Sequence, residues 1–417
     1  MAYYSDTRCS PSWSEKEIAH KADDAIKKYP SPDCKLGDAP RPSEDEPELE
    51  KPAKVAWPGV EGQSAAELHR RIGQVRCVGD EWFVERSGVW APTDRDMYRP
   101  VALEVLPDYC RTQARSLEVI KRLEGEQQVT RDQFCGAAKF DDTGAVLVAV
   151  QNGTLRIAPK QVELLPAHPA YGFTAALPVA WDSEAKHELF AKVLIEALPD
   201  PADRELFLDV LATALIPDCR HEAALVCQGE AGTSKSTVIA PIEKIFGSSC
   251  ASLSMADLCH PSGYKLAMLD RKLINLATEL NTLEMEDTGL FKQLVSGQRS
   301  TARPIYGKPF EMRSTATLVF LANSLPRFKH GTDPEVRRLR FVRFSRKVTK
   351  PDLTLKDKVA LDAPGVFAEL VRRAQELLDV GHYLSLDTSH AKPSEASVKH
   401  RAERDPSHTG YSGYQSK

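Results

Sequence analysis

One short segment constrains the fold of this 417-residue chain more than any other. It is the glycine-containing run from Gly229 to Thr237, which follows an apolar stretch at residues 223–227 and precedes a helix-like segment that begins near Lys235. A strand, a glycine turn and a helix start in this order are typical of a loop that binds the phosphates of a nucleotide. The segment therefore predicts an α/β fold.

The residue types in this loop match the chemistry of a triphosphate site. Backbone N–H groups of such a loop point at the β- and γ-phosphates, a lysine adds a positive charge there, and the next hydroxyl binds Mg²⁺. Lys235 and Ser236 fit the last two roles, with ATP and Mg²⁺ as the expected ligands. The predicted nucleotide-binding residues are Gly229, Glu230, Ala231, Gly232, Thr233, Ser234, Lys235, Ser236 and Thr237.

The loop departs from the pattern G-x-x-x-x-G-K-[ST] at one position, where Ser234 replaces the glycine before the lysine. If the backbone must be left-handed there, a residue with a Cβ costs roughly 1–2 kcal/mol. Triphosphate binding is expected to offset that cost. A second departure is Pro241, which is expected to kink or shorten the helix after the loop.

Composition indicates a globular protein without a membrane segment. The chain is 42% hydrophobic and 27% charged, has no long apolar run, and begins without a signal-peptide pattern, which predicts a cytoplasmic protein. Its nine cysteines include no C-x-x-C pair, so neither a disulfide framework nor a zinc ribbon is expected. The net charge is −4, yet residues 292–350 contain 14 Lys or Arg and three acids. This basic block is either a footprint for nucleic-acid phosphates or a solvated charged face.

Changes in composition along the chain predict five segments. The first is acidic and rich in proline, as in a linker or a disordered lead. The second contains short strand patterns and an Asn152-Gly153 turn typical of a hairpin, which predicts a small α+β domain. The predicted ranges are 1–62 for the lead, 63–170 for the α+β domain, 171–350 for the ATPase domain, 351–388 for a closing helical segment and 389–417 for a polar tail.

Three candidate catalytic positions follow the loop along the chain. Glu279 ends an apolar strand pattern, where a carboxylate can orient Mg²⁺ and polarise the attacking water; Glu284 is its alternative. Asn323 ends a second such pattern and could position the water against the γ-phosphate. The paired arginines Arg337 and Arg338 could reach a triphosphate bound by a neighbouring subunit and stabilise transition-state charge.

The segment 301–314 has two extended arms around a Gly307-Lys308 tip, which predicts a hairpin. A cation at such a tip could contact the backbone of a nucleic acid, although a lysine also discourages edge pairing on an ordinary surface hairpin. Lys308 and Arg303 are the predicted DNA-binding residues.

The ordered set of motifs resembles the superfamily 3 helicases, specifically the phage and plasmid primase-helicase group related to poxvirus primase-helicases. The loop, the acidic strand before Glu279, the segment 291–303, the run Asn323-Ser-Leu-Pro326 and the arginine pair match in order. Gln298 stands in the intermediate segment where an aspartate is expected, and neither a zinc motif nor a polymerase site for primer synthesis is found.

The resemblance implies an AAA+-like P-loop ATPase domain preceded by a small α+β domain. It also implies a DNA helicase or translocase that acts in DNA replication in a bacterial host cell. The resemblance further implies that this enzyme works as a hexameric ring and moves 3′ to 5′. Single-stranded or forked DNA, further copies of the chain, and a primase or replication initiator are the expected partners. Two alternatives stay open, namely a nucleotide-switched DNA-binding or assembly protein with slow hydrolysis, and a small-molecule kinase.

Overall fold

The computed structural model describes residues 57–259, 264–277, 284–285, 289–304, 307–323, 327–328, 338–349 and 352–381. Most of the predicted lead and the whole predicted polar tail lie outside these ranges. Glu279 and Arg337 do as well.

The described chain begins with helices packed on a small antiparallel sheet. Sheet order is β1-β2-β3, with Val75 opposite Val84 and Trp82 opposite Thr93. The buried side chains of Leu68, Trp82 and others form one apolar cluster between the helices and this sheet. The elements are α1 (Trp57–Ile72), β1 (Val75–Val78), β2 (Glu81–Arg86), β3 (Val89–Thr93), α2 (Arg99–Glu104) and α3 (Gln113–Glu126). Helix α1 begins at Trp57, so the boundary predicted at residue 62 falls inside a helix.

A four-stranded antiparallel meander follows, in the order β4-β5-β6-β7. Val150 pairs with Gly153 across the predicted hairpin turn, so the interpretation of Asn152-Gly153 is correct. Gly153 has a φ of 152°, and an added Cβ would lie 2.4 Å from the carbonyl oxygen of Leu165, which is why glycine fits there. The strands are β4 (Ala138–Phe140), β5 (Val146–Val150), β6 (Gly153–Ala158) and β7 (Gln161–Leu165).

The centre of the chain is a five-stranded sheet in the order β16-β8-β14-β10-β9, in which all pairings are parallel. The fold class is therefore α/β, as predicted. Its inner strands read as continuous apolar runs because both faces are covered. The strands are β8 (Ala224–Gln228), β9 (Cys250–Ala251), β10 (Ile274–Ala277), β14 (Thr317–Ala322) and β16 (Leu339–Arg343).

Alternate residues of the central strands serve two different cores. Leu225 and Cys227 of β8 belong to one buried cluster, whereas Ala224 and Val226 belong to the other. The first cluster also contains residues of β5 and β6, so the meander and the parallel sheet share a continuous core. That core crosses residue 170, where the sequence predicts a domain boundary, and the boundary itself stays a prediction.

Helices cover both faces of the parallel sheet. On the face of the first cluster, Arg373 of the last helix is 5% exposed and bonds to Asp209, which is fully buried, at 2.7 Å. This buried pair joins two helices through residues that are 164 positions apart in the sequence. The helices are α4 (Glu188–Ala197), α5 (Pro201–Thr213), α6 (Lys235–Phe246), α7 (Met255–Cys259), α8 (Gly289–Val295), α9 (Leu355–Ala360) and α10 (Ala363–Val380).

A two-stranded antiparallel ribbon stands between β10 and β14 in the sequence. It consists of β12 (Arg299–Ala302) and β13 (Phe310–Arg313), with Arg299 opposite Arg313. The remaining strands, β11 (Glu284–Met285) and β15 (Arg327–Phe328), pair in parallel with each other. Within the described ranges, no helix is long and apolar enough to cross a membrane.

Candidate functional site

The phosphate-loop segment lies at the edge of the parallel sheet where the strands end, termed here the carboxyl edge. Its first residue, Gly229, donates its N–H to the carbonyl of Ala322, the last residue of β14, at 3.0 Å. On the other side, a Cβ added to Gly229 would lie 2.4 Å from the carbonyl oxygen of Phe344, just beyond β16. Glycine is required because the backbones of two neighbouring strands close on this residue.

The loop turns through two left-handed residues before the helix begins. Gly232 has a φ of 78° and Ser234 a φ of 62°. The position where the sequence departs from the usual pattern therefore does carry the conformation that favours glycine, and Ser234 bears the corresponding strain. Inside the turn, the buried Thr233 hydroxyl donates to the carbonyl of Glu230 at 2.8 Å, which braces the loop.

The side chain of Lys235 folds back over the loop. Its Nζ donates to the carbonyls of Gly229 and Glu230, at 2.5 and 2.8 Å, and lies 3.4 Å from the Thr233 hydroxyl. Partial burial lowers the pKa of Lys235 from its ordinary value. All three acceptors are uncharged, so they satisfy the donors of the ammonium group without neutralising its charge.

A fourth contact joins two of the predicted site residues. Lys235 Nζ lies 3.3 Å from Asn323 Oδ1. Asn323 follows β14 directly, and β14 lies beside β8, so their ends meet at the carboxyl edge. After β8, the chain crosses to β9 at the far edge of the sheet, beyond β14 and β10. The last strand of the sheet in the sequence, β16, lies on the other side of β8 from β14. Such a reversal of strand order is where open α/β sheets bind ligands.

Helix α6 starts at Lys235, so Ser236 and Thr237 lie in its first turn. The first turn of a helix exposes N–H groups without intrahelical partners, and Ser234 makes no side-chain cap there. The site therefore offers several amide donors and the exposed Ser236 hydroxyl to an anion.

The side chains of the site also suit a Mg²⁺ ion that binds together with a nucleotide. No group of three or more His, Cys, Asp or Glu residues that could hold a metal occurs in the described part of the chain. Mg²⁺ in triphosphate sites uses one or two protein ligands plus phosphate oxygens, so the hydroxyl of Ser236 fits this mode. Glu279, the second predicted ligand, lies beyond the described end of β10.

Arg338 lies at the opposite edge of the sheet, where the strands begin, termed here the amino edge. It precedes β16, whose Arg343 pairs with Gln228 at the start of the loop. Five residues of strand separate Arg338 from that point, or about 16 Å at 3.3 Å per residue. Its guanidinium bonds to Glu222 at 3.0 Å and to the Ser296 hydroxyl at 3.3 Å. The arginine therefore cannot reach the loop of its own chain.

The two predicted DNA-binding residues lie on the β12–β13 ribbon. Lys308 is exposed between the two strands, and Arg303 is exposed directly after β12. The Arg303 guanidinium carbon lies 5.9 Å from the centre of the Tyr264 ring. Both cations face solvent, as a nucleic-acid contact requires.

Sequence reasoning missed the segment that follows β16. Phe344 donates its N–H to the carbonyl of Gln228 at 2.7 Å, and Val348 donates to the carbonyl of Gly232 at 2.9 Å. Residues 344–348, termed here the strap, thus lie along the phosphate loop and carry two exposed cations, Arg346 and Lys347. The signal in the sequence was the basic block, but only tertiary contacts assign these residues to the loop.

The sequence also gave no indication of a cavity of about 630 Å³ between the meander and the amino edge. Its charged lining is largely paired internally. Arg131 bonds to Asp270 at 2.5 Å, and Arg271 bonds to Glu81 at 2.7 Å. These pairs tie the N-terminal part of the chain to the start of β10.

Comparisons with known proteins place the fold but give no established activity. A family profile described as a family of unknown function, DUF5906, matches residues 227–338, from the end of β8 to Arg338. No curated protein matches. An apo structure of the C-terminal region of NrS-1 aligns with a TM-score of 0.51 and 13% identity over 81% of this chain and 73% of that one.

Two further structures of the NrS-1 C-terminal region also align with this chain. An A-form apo structure of residues 305–718 has a TM-score of 0.48 and 13% identity over 80% of this chain and 76% of that one. Another apo structure of that range has a TM-score of 0.47 and 13% identity, over 76% and 71%. At this identity the likeness concerns the fold.

Proposed function

We propose that this chain is an ATP-hydrolysing DNA helicase or translocase of the superfamily 3 type, acting in the DNA replication of a phage, plasmid or other mobile element. The observation that carries the proposal is the contact between Lys235 on the phosphate loop and Asn323 on the neighbouring strand. A lysine that reaches the β- and γ-phosphates and an amide beside it form the core of a site that distinguishes a triphosphate from its product.

The topology supports an AAA+-like P-loop domain. Strand β8, which leads into the loop, lies between β14, which ends at Asn323, and β16, which follows Arg338. The fold shared with the C-terminal region of NrS-1 is compatible with this assignment. The family profile begins just before the loop and ends at the arginine, so its limits enclose the proposed catalytic residues.

Each residue of the site has a distinct part in the proposed reaction. The first-turn amides of α6 and the ammonium of Lys235 bind the phosphates, for which Lys235 exchanges its carbonyl contacts for phosphate oxygens. Ser236 and Glu279 would hold Mg²⁺, which when bound neutralises charge on the phosphates. Glu279 acts as the base for the attacking water. Asn323 positions that water against the γ-phosphate.

The separation of Arg338 from its own loop supports action between subunits. In a hexameric ring, Arg338 and its neighbour Arg337 would reach the nucleotide of the adjacent subunit and stabilise charge in the transition state. Lys308 and Arg303 on the ribbon would contact single-stranded DNA or a fork. The proposed setting is the cytoplasm of a bacterial host cell, with a primase or replication initiator as a further partner.

A second function is kept because of Ser234. A strained loop whose lysine is held by its own carbonyls can bind nucleotide and yet turn it over slowly, as in a nucleotide-switched DNA-binding or assembly protein. Turnover measurements separate this function from the motor.

The decisive experiment is steady-state ATPase activity with and without single-stranded DNA. A motor hydrolyses ATP faster when DNA is present, and Lys308→Ala lowers the ratio of the two rates toward one. Lys160→Ala is the matched control, because Lys160 is an exposed lysine in the turn between β6 and β7. DNA binding without stimulated turnover would favour the switch, and turnover that needs a small-molecule acceptor would favour a kinase.

A further inference from the structure

The strap is fixed to the phosphate loop at both ends by backbone contacts. The bond from Phe344 to Gln228 holds it where the loop begins, and the bond from Val348 to Gly232 holds it where the loop turns toward α6. The close approach of the Phe344 carbonyl to Gly229 leaves no space for a side chain at Gly229. Backbone bonds survive changes of side chain, so the loop and the strap keep a set spacing.

Two cations lie between these fixed points. Arg346 and Lys347 are both exposed, and Lys347 Nζ lies 4.0 Å from a carboxylate oxygen of Glu230, the second residue of the loop. The side chains of this pair are 71% and 81% exposed, so water screens their attraction and the pair exchanges easily.

The position of Glu230 indicates which end of a nucleotide Lys347 would meet. The carbonyl of Glu230 accepts a hydrogen bond from Lys235 Nζ at 2.8 Å. Because the lysine of such a loop binds the β- and γ-phosphates, Glu230 marks the terminal-phosphate end of the site. A carboxylate there repels the polyphosphate unless a cation accompanies it.

We propose that Lys347 is a second phosphate-binding cation, supplied by the same chain, that leaves Glu230 for the terminal phosphate of a nucleoside triphosphate. This inference rests on the proposed function and adds a specificity determinant to it. Lys235 can still contact the β-phosphate of a diphosphate. Lys347 would meet only the γ-phosphate, so it adds to the preference for the triphosphate. Arg346, which lies on the strap beside Lys347, adds to the positive electrostatic potential at the terminal phosphate.

The test is the affinity of the full chain for a non-hydrolysable ATP analogue and for ADP, measured by calorimetry. Lys347→Ala is expected to raise the Kd for the ATP analogue about fivefold, the upper end of the range for an exposed charge pair, and the Kd for ADP less than twofold. Lys347→Arg should restore the difference, because the charge is kept. Glu230→Gln should lower the Kd for the ATP analogue, because the competing anion is gone.

The matched control is Lys356→Ala. Lys356 forms a comparable exposed pair with Glu243, at 3.8 Å, near the far end of α6. It should leave both affinities unchanged. Equal losses for the ATP analogue and ADP in Lys347→Ala, or no loss at all, would overturn the inference while leaving the proposed function intact. The proposed function fails by a different result, namely an ATP affinity that is unchanged in Lys235→Ala.

Discussion

The two edges of the parallel sheet use positive charge in different ways. At the carboxyl edge, Lys235 contacts carbonyls, a hydroxyl and an amide oxygen, all of them neutral. At the amino edge, Arg271 is paired with Glu81 and Arg338 with Glu222. A cation held by neutral acceptors keeps its attraction for an incoming anion, whereas a cation paired with an acid mainly joins parts of the fold. Arg338 and, at the carboxyl edge, Lys347 with Glu230 are exceptions, because the proposed roles require each cation to leave its acid.

The largest effect is expected at the carboxyl edge. Lys235→Ala should abolish both ATP hydrolysis and tight ATP binding, because the lysine is the charge closest to the proposed phosphate position. Turnover by phosphate release and affinity by calorimetry are the measurements, and Lys244→Ala, an exposed lysine on the same helix, is the control. Near-normal turnover in Lys235→Ala would reject the phosphate-loop assignment.

Arg338→Ala tests whether the amino edge takes part in catalysis. We expect nearly normal ATP binding but turnover reduced by about 10³-fold, the lower end of the range for arginines that act between subunits. Arg220→Ala is the control, because Arg220 lies at the same edge and is paired with Asp218 at 2.7 Å.

Mixing the Arg338→Ala and Lys235→Ala chains sharpens the same test. A boundary between the two variants can combine an intact loop with an intact arginine, so part of the activity should return. If mixtures recover nothing in assembled rings, or if a monomer is fully active at every concentration tested by light scattering, the arrangement between subunits is wrong.

Two left-handed residues at opposite edges allow a stability comparison. Arg271 has a φ of 57°, and its guanidinium bonds to Glu81 and lies 3.1 Å from Asp270. Arg271→Gly relieves backbone strain but removes these half-buried pairs, so we expect a net loss of about 1–2 kcal/mol in the free energy of unfolding. Urea denaturation measures it, and an increase in stability would show that the pairs contribute little.

Ser234→Gly should have the smallest effect, with the opposite sign. Relief of the left-handed strain outweighs the greater freedom of glycine in the unfolded chain, which gives a gain of about 0.5–1 kcal/mol. ATP affinity should stay the same or rise. A fall of tenfold, or about 1.4 kcal/mol, would mean that the Ser234 hydroxyl contacts phosphate or metal.

Local patterns predicted the parts of the fold that local chemistry determines. The Asn152-Gly153 turn, the apolar strands and the glycine loop each follow from short-range rules. Pro241 was expected to kink or shorten α6; the helix continues to Phe246, so the shortening is wrong, whereas the kink stays a prediction. Pro241 is buried on the same face as Val238 and Ile245, so packing of this face keeps the helix together despite the lost hydrogen bond.

The rest depended on contacts between distant residues. Residues 57–62 were assigned to the lead because that stretch is rich in proline and acids, yet α1 begins at Trp57. Pro58 falls in the first turn of this helix, where proline is tolerated. The strap could not be predicted, because its bonds join residues 344–348 to residues more than 110 positions earlier. Asn323 was chosen for its place after a strand, whereas its contact with Lys235 depends on sheet order.

Strand β16 connects a residue and a segment that are proposed to act at different nucleotides. Arg338 precedes its first residue and the strap follows its last, with five hydrogen-bonded residues between them. In the proposed ring, one end of this strand touches the nucleotide of its own subunit and the other end touches that of the next. A strand paired within a sheet hardly stretches, so a joint displacement of the loop and the strap on ATP binding would be transmitted through β16 to Arg338. ATP binding in one subunit would then alter the contact that Arg338 makes with the nucleotide of the next subunit.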